Sequence, residues 1–158
     1  MKPETERSLE KAGQCLATGR AELAINLSSE AGRNAYLAAF HAARAFIFER
    51  TGNFIRRHEG VQREFTRLTN AEPGIDKSFP VFLSQAYNLK AVADYETGPG
   101  SIVPPERAAA ALETAAASLT PSEGFLRRPF RNSPMSVEFG TIFDRRRHIP
   151  EESLNVSP

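Results

Sequence analysis

The feature that most constrains the fold is a dense apolar pattern between residues 35 and 47. Its apolar side chains recur at helical spacing over more than half of the helix circumference: Ala35, Tyr36, Ala39, Phe40, Ala43, Phe46 and Ile47. Because a helix with so broad an apolar surface must be covered by other elements, the pattern predicts the central helix of a bundle. The sequence Thr51-Gly52-Asn53 then supplies a glycine of the kind that commonly ends a helix in the left-handed conformation.

Four other segments have helical periodicity, and no segment before residue 120 alternates as a strand does. We predict helices over residues 3–27, 58–68, from 77–79 to 95, and 104–119. Ser28 or Ser29 is expected to cap the central helix, and Gly19 is a candidate break in the first one. The predicted fold is all-α: an antiparallel up-and-down bundle of four to five helices over residues 1–120.

Residues 121–158 differ in character from the predicted bundle. They contain five prolines, and their charges follow no helical period. We interpret this region as an irregular or flexible tail. An alternative is that it docks on a partner or a second subunit through Phe139, Ile142 and Phe143.

Composition restricts the classes of function. With 20 basic against 19 acidic residues, the chain has no overall field to attract nucleic acid, so any such binding needs a local patch. The single cysteine excludes an internal disulfide and fits a reducing cytoplasm. The first residues lack a signal sequence, and no apolar run approaches the roughly 20 residues that span a bilayer. We expect a cytoplasmic protein without a membrane segment.

Five arginines form a local basic cluster: Arg50, Arg56, Arg57, Arg63 and Arg67. Arg56 and Arg57 precede the third predicted helix, and Arg63 and Arg67 lie one and two turns along it, so the group can hold phosphates. The alternative is an ordinary solvated helix face. The chain has neither a glycine-rich nucleotide loop nor a cysteine–histidine metal signature, so we expect no metal and no cofactor.

Three segments together resemble the HEPN family of bacterial helical proteins, in particular the branch often encoded beside a small nucleotidyltransferase. They are NAYLAAFHAARA at residues 34–45, HEGV at residues 58–61 and AYNLKAVADY at residues 86–95. The resemblance covers roughly residues 5–120. It implies an up-and-down helical bundle, usually a homodimer.

The resemblance also implies a possible catalytic activity, the cleavage of RNA. Several HEPN branches are metal-independent ribonucleases whose active site is an arginine followed, four to six residues on, by a histidine. No histidine of this chain has that spacing from an arginine, and Lys90, Asp94 and Tyr95 stand where the motif is expected. Because the reference pKa of aspartate lies near 4, Asp94 is a poor replacement for histidine in proton transfer at neutral pH.

The leading hypothesis is therefore a HEPN-like homodimer that binds a nucleotidyltransferase partner, a nucleotide or RNA in a toxin–antitoxin-like or stress system. The residues expected to bind nucleotide or RNA are Arg56, Arg57, His58, Arg63 and Lys90. One alternative is a divergent ribonuclease with Lys90, Asp94, Tyr95 and His41 as catalytic residues. A third is a purely structural helical adaptor. The ordinary interpretation of Lys90 and Asp94 is an ion pair within one helix.

Overall fold

A computed structural model of the chain describes residues 1–95 and 102–126, with side chains described up to residue 120. This part of the chain contains five α-helices and no strand: α1 Pro3–Ala24, α2 Ser28–Thr51, α3 His58–Ala71, α4 Ser78–Tyr95 and α5 Pro105–Leu126. The predicted all-α bundle is confirmed. The tail residues Phe139, Ile142 and Phe143 lie outside the described residues.

Helix α2 is the centre of the bundle, as its apolar pattern predicts. Its buried residues lie on almost every side of the helix, and α1, α3, α4 and α5 all pack against it. The small side chains of Ala38, Ala39, Ala42 and Ala43 leave room for these neighbours to approach closely. The helix ends at Gly52 with φ of 72°, which confirms the predicted left-handed stop.

Helix α1 is antiparallel to α2, and polar contacts join the start of one to the end of the other. Glu49 near the end of α2 accepts hydrogen bonds from the Lys2 backbone N–H at 3.0 Å and from the Thr5 hydroxyl at 2.7 Å. The Lys2 ammonium also donates to the Glu49 carbonyl at 2.8 Å. These contacts satisfy polar groups that would otherwise be left without partners at the two helix ends.

Gly19 does not break α1, which is continuous through it. A Cβ atom at Gly19 would lie 2.7 Å from Cδ2 of Leu112 on α5, 3.1 Å from Cβ of Asn34 and 3.2 Å from the Ala31 carbonyl oxygen on α2. The predicted break is therefore wrong. This glycine permits three helices to meet at a distance that a larger side chain would prevent.

Ser28 and Ser29 do not cap α2, whose N-cap residue is Leu27 without a side-chain cap bond. Instead the Ser28 hydroxyl donates to the Val103 carbonyl at 2.6 Å, and the Ser29 hydroxyl accepts from the Val103 N–H at 3.1 Å. The predicted cap is wrong because the segment before α5 competes for both hydroxyls. These bonds fix the buried Val103 to the first turn of α2.

Helix α5 extends beyond the predicted end at residue 119 and continues through Pro121 to Leu126. A proline within a helix removes one backbone hydrogen bond and disfavours the preceding turn, but it does not prevent the helix from continuing. None of the helices within residues 1–95 and 102–126 is both long and apolar enough to cross a bilayer.

Candidate functional site

The residues at the predicted HEPN motif position meet at the C-terminal end of α4. Lys90 and Asp94, one turn apart, form an ion pair between the ammonium and Oδ2. The other carboxylate oxygen of Asp94 accepts a hydrogen bond at 2.8 Å from Nε of Arg33, which lies on α2. The side chains of Lys90 and Asp94 are 14% and 22% exposed, and this carboxylate lies between two cations at the protein surface.

This arrangement keeps both partners charged. The hydrogen bond with Asp94 raises the pKa of Lys90 above its ordinary value. The same bond, together with the charges of Arg33 and Lys90, lowers the pKa of Asp94 against the opposing effect of burial. Neither group therefore changes its protonation state near neutral pH, whereas a general acid or base must do so during catalysis.

Two tyrosines frame the ion pair. The Lys90 Nζ lies 5.5 Å from the centroid of the Tyr95 ring and 5.9 Å from that of the Tyr87 ring. Tyr95 is 75% exposed, and Tyr87 is also exposed. We call the group of Arg33, Tyr87, Lys90, Asp94 and Tyr95 the α4 rim. It presents accessible aromatic surface beside positive charge, the combination on which nucleic-acid bases and phosphates are held.

A cluster of aromatic side chains packs against the inner side of the α4 rim. Tyr36 of α2 is fully buried, and its hydroxyl shares a hydrogen bond of 2.6 Å with Nδ1 of His58 at the start of α3. The His58 ring lies 4.6 Å from that of Phe40 and 5.8 Å from that of Tyr87. Burial, followed by the positive charges of Lys90 and Arg44, lowers the pKa of His58. This histidine is an uncharged, hydrogen-bonded part of the support.

His41 lies away from the α4 rim, in a groove between α1 and α2 of about 380 Å³. We call this cavity the α1–α2 groove. Its lining residues are Glu4, Arg7, Ser8, Lys11, His41, Arg44 and Phe54. Burial first, and then the charges of Arg44 and Lys11, lower the pKa of His41 to about 4, so the ring is uncharged at neutral pH.

Comparison with known families agrees with this architecture. A family model described as the HEPN domain matches residues 5–123. The chain belongs to the HEPN domain family. The match includes every residue of the α4 rim, and all of the α1–α2 groove except Glu4. No curated protein matches the chain.

The residues predicted to bind RNA in this HEPN domain differ in their exposure to solvent. His58 lies beneath the α4 rim, whereas Arg56, Arg57 and Arg63 are exposed before and along α3. Arg56 lies near Arg44, because its charge contributes to the lowering of the Arg44 pKa. Among residues 1–95 and 102–126, no three or more histidine, cysteine, aspartate or glutamate side chains are placed together as a metal site.

Sequence reasoning missed two residues of this HEPN domain. Arg33 reaches Asp94 across 61 positions of sequence. Arg44 lies with its guanidinium carbon 4.1 Å from the Phe54 ring centroid, and its Nε is buried without a hydrogen-bond partner among the described residues. Both belong to α2 and fall in or next to the segment that carries the family resemblance, but their contacts depend on how the helices pack.

Proposed function

We propose that this HEPN domain is a homodimeric binding module that recognises a nucleotide or RNA at the α4 rim. In this proposal it acts with a nucleotidyltransferase partner in a toxin–antitoxin-like or stress system. The observation that carries the proposal is the Lys90–Asp94–Arg33 arrangement beside the exposed Tyr95 ring.

The protonation states of the α4 rim favour binding over cleavage. Cleavage of RNA by its own 2′-hydroxyl needs one group to move a proton and another to stabilise the developing charge. Asp94, with its lowered pKa, is a weak base, and Lys90, with its raised pKa, is a weak acid. The absence of a suitable acid–base group costs about 10²–10⁴-fold in rate.

The same groups suit recognition of a base and a phosphate. Arg33 and Lys90 carry two positive charges against the single carboxylate of Asp94, which leaves one positive charge at the rim. An exposed tyrosine provides a flat face on which any base can stack. A ligand that contains both a base and a phosphate, such as a nucleotide or a single-stranded RNA segment, is stabilised by stacking and by the positive charge.

The outer surface of α4 supports the proposed dimer. Val81 is 53% exposed in the first turn of α4, before the residues of the α4 rim. Contact with a second subunit would remove this apolar side chain from water, which is favourable. Membership of the HEPN family also supports a dimer, and a nucleotidyltransferase is the partner that the family resemblance suggests.

The test is the affinity of the full chain for a fluorescent single-stranded RNA at low salt, measured by anisotropy. Tyr95→Ala is expected to weaken binding about tenfold or more, because it removes one stacking platform. Lys90→Ala is expected to weaken binding and to reduce its salt dependence. Tyr95→Phe is the matched control: it keeps the ring and should retain most of the affinity.

RNA degradation and binding assays on the same proteins distinguish a binding module from a ribonuclease and from a structural adaptor. If the wild-type protein degrades the RNA, and Lys90→Ala or His41→Ala abolishes degradation, the domain is a ribonuclease and the binding proposal fails. If the protein binds neither RNA nor nucleotide at low salt, the structural adaptor is favoured instead.

A further inference from the structure

His58 lies between the buried interior of the bundle and the α4 rim. Its Nδ1 is 2.6 Å from the hydroxyl of the fully buried Tyr36, and its ring centroid lies 4.6 Å from that of Phe40 and 5.8 Å from that of Tyr87. The Tyr87 ring in turn lies 5.9 Å from the Lys90 ammonium. Because His58 is partly exposed, water can deliver a proton to a ring whose position is fixed by three aromatic neighbours.

The contact with Tyr36 can serve His58 in both of its protonation states. The Tyr36 hydroxyl can donate a hydrogen bond to a neutral Nδ1, and its oxygen can accept one from Nδ1 when that nitrogen carries a proton. Burial raises the pKa of Tyr36, so the hydroxyl keeps its own proton and does not ionise to cancel a charge on the ring. Protonation therefore changes the charge of His58 without requiring the ring to leave its place.

Besides the two tyrosines, the titratable and charged groups that face His58 come from two helices. They are His41 and Arg44 on α2, and Lys90 and Asp94 on α4. Burial, followed by the charges of Lys90 and Arg44, lowers the pKa of His58 from 6.5, and the carboxylate of Asp94 opposes this effect. His58 is therefore uncharged at neutral pH and gains its proton in acid.

The protonation state of His58 determines the net charge at the α4 rim. Arg33, Lys90 and Asp94 leave one positive charge there while His58 is neutral. A proton on His58 adds a second positive charge that Lys90 repels. A phosphate bound at Lys90 would offset this repulsion, because a nearby anion favours the charged form of histidine. Protonation of His58 and binding of the phosphate therefore favour each other, and the coupling is reciprocal.

We propose that His58 makes the α4 rim acid-responsive: its protonation strengthens the binding of anionic ligands at the rim, so that their affinity rises as the solution becomes acidic. This inference rests on the function proposed for the rim. His58 does not contact the ligand in this proposal, and it acts through the charge that it places near Lys90.

The test is the affinity of the full chain for a single-stranded RNA of uridines only, measured at low salt between about pH 8 and about pH 5, the range in which histidine changes its charge. Uracil gains no proton in this range, and a fluorescent label that is insensitive to pH keeps the anisotropy values comparable. The wild type is expected to bind about three to ten times more tightly at the acidic end, which corresponds to a His58 pKa raised by about half a unit to one unit in the complex.

His58→Gln is the deciding variant, because glutamine can still form a hydrogen bond with the Tyr36 hydroxyl but does not titrate. Its affinity at the alkaline end of the range is its own reference, and acid should then change that affinity little. His41→Gln is the matched control: it removes a second histidine, which lines the α1–α2 groove, and should keep the pH dependence of the wild type.

Proton uptake provides a second measurement that needs no variant. Calorimetric titration of the same RNA into the wild type, in the middle of the pH range and in two buffers with different ionisation enthalpies, should show a net uptake of protons on binding.

The outcomes separate this inference from the function on which it rests. An equal gain in affinity for the wild type and His58→Gln, or binding without proton uptake, would overturn the inference. The function proposed for the rim survives either result if Tyr95→Ala and Lys90→Ala weaken binding at the alkaline end of the range. RNA that binds these two variants as tightly as the wild type, or that does not bind the wild type, would refute the rim as the site and the inference with it.

Discussion

His41 packs edge-on against Phe40, with ring centroids 5.5 Å apart, and lies near the cationic side chains of Lys11 and Arg44. Burial and those charges, with a smaller contribution from His58, lower its pKa from 6.5 to about 4. In the unfolded chain the ring regains the ordinary value. Between pH 6.5 and pH 4 the unfolded state therefore binds a proton that the folded state does not, and the free energy of unfolding decreases as the pH falls through this window.

We predict that His41→Gln weakens this pH dependence. The wild-type free energy of unfolding should decrease between about pH 7 and about pH 4.5 by about 1–2 kcal/mol more than that of the variant, less than full linkage gives because the ring is partly solvated. Urea denaturation at both pH values measures the difference. The lowered pKa of His58 acts in the same direction and remains in the variant. Equal losses in the two proteins would contradict the assignment to His41.

Among the contacts between individual side chains, only those within one helix could be predicted from the sequence. Lys90 and Asp94 are four residues apart, so helical geometry alone brings them together. The Arg33–Asp94 bond spans 61 residues and the Tyr36–His58 bond spans 22. Both depend on which faces of α2, α3 and α4 meet, and charge or spacing along the chain does not contain that information.

Two glycines of α1 differ in how closely other helices pack against them, so the effect of adding a methyl group can be compared within one helix. A Cβ at Gly19 would meet Leu112, Asn34 and the Ala31 carbonyl between 2.7 and 3.2 Å, whereas a Cβ at Gly13 would meet nothing within 4 Å. Alanine favours a helix over glycine by about 1 kcal/mol at either position. At Gly19 the contact with backbone and Cβ atoms outweighs that gain, because those atoms cannot rotate away.

We predict that Gly13→Ala raises the free energy of unfolding by up to about 1 kcal/mol, and that Gly19→Ala lowers it by about 1–2 kcal/mol. Chemical denaturation followed by far-ultraviolet circular dichroism measures both. Gly13→Ala is the control for helix propensity alone. If both variants gain stability equally, α1 does not approach α2 and α5 as closely as the structure has it.

The elements themselves were largely predictable, and most of the errors have one cause. The α2 pattern predicts a central helix and Gly52 its end, because burial and chain conformation at these positions depend on local sequence. The wrong predictions concern Gly19, the two serines before Glu30, and Pro121. At the glycine and the serines a local preference competes with a contact to another helix or segment, and that contact prevails. Pro121 is a different case. The sequence predicts that α5 ends before this proline, but the helix continues through it.

On the scale of the molecule, α2 joins the two candidate sites. It contributes Arg33 to the α4 rim and His41 and Arg44 to the α1–α2 groove. His58 lies between them, since the charges of both Lys90 and Arg44 lower its pKa. Because one buried helix carries both sets of side chains, a change in its position would alter both sites together.

The remaining prediction concerns assembly. In the single chain the Val81 side chain is 53% accessible, in the first turn of α4 and before the residues of the α4 rim. If a second copy covers this surface, a charge at Val81 must be desolvated in the dimer and should favour the monomer. We expect a mass near twice 17.4 kDa for the wild type in sedimentation equilibrium at micromolar concentration, and near 17.4 kDa for Val81→Glu.

Thr18→Glu, which adds the same charge at an exposed position of α1, is the matched control and should remain dimeric. Because Val81 is already solvated in the single chain, its replacement by glutamate should leave the helical content unchanged, so a monomeric variant reports on assembly and not on folding. A wild-type mass near 17.4 kDa would refute the dimer. A dimeric Val81→Glu variant would instead mean that the subunits meet through a surface other than this face of α4.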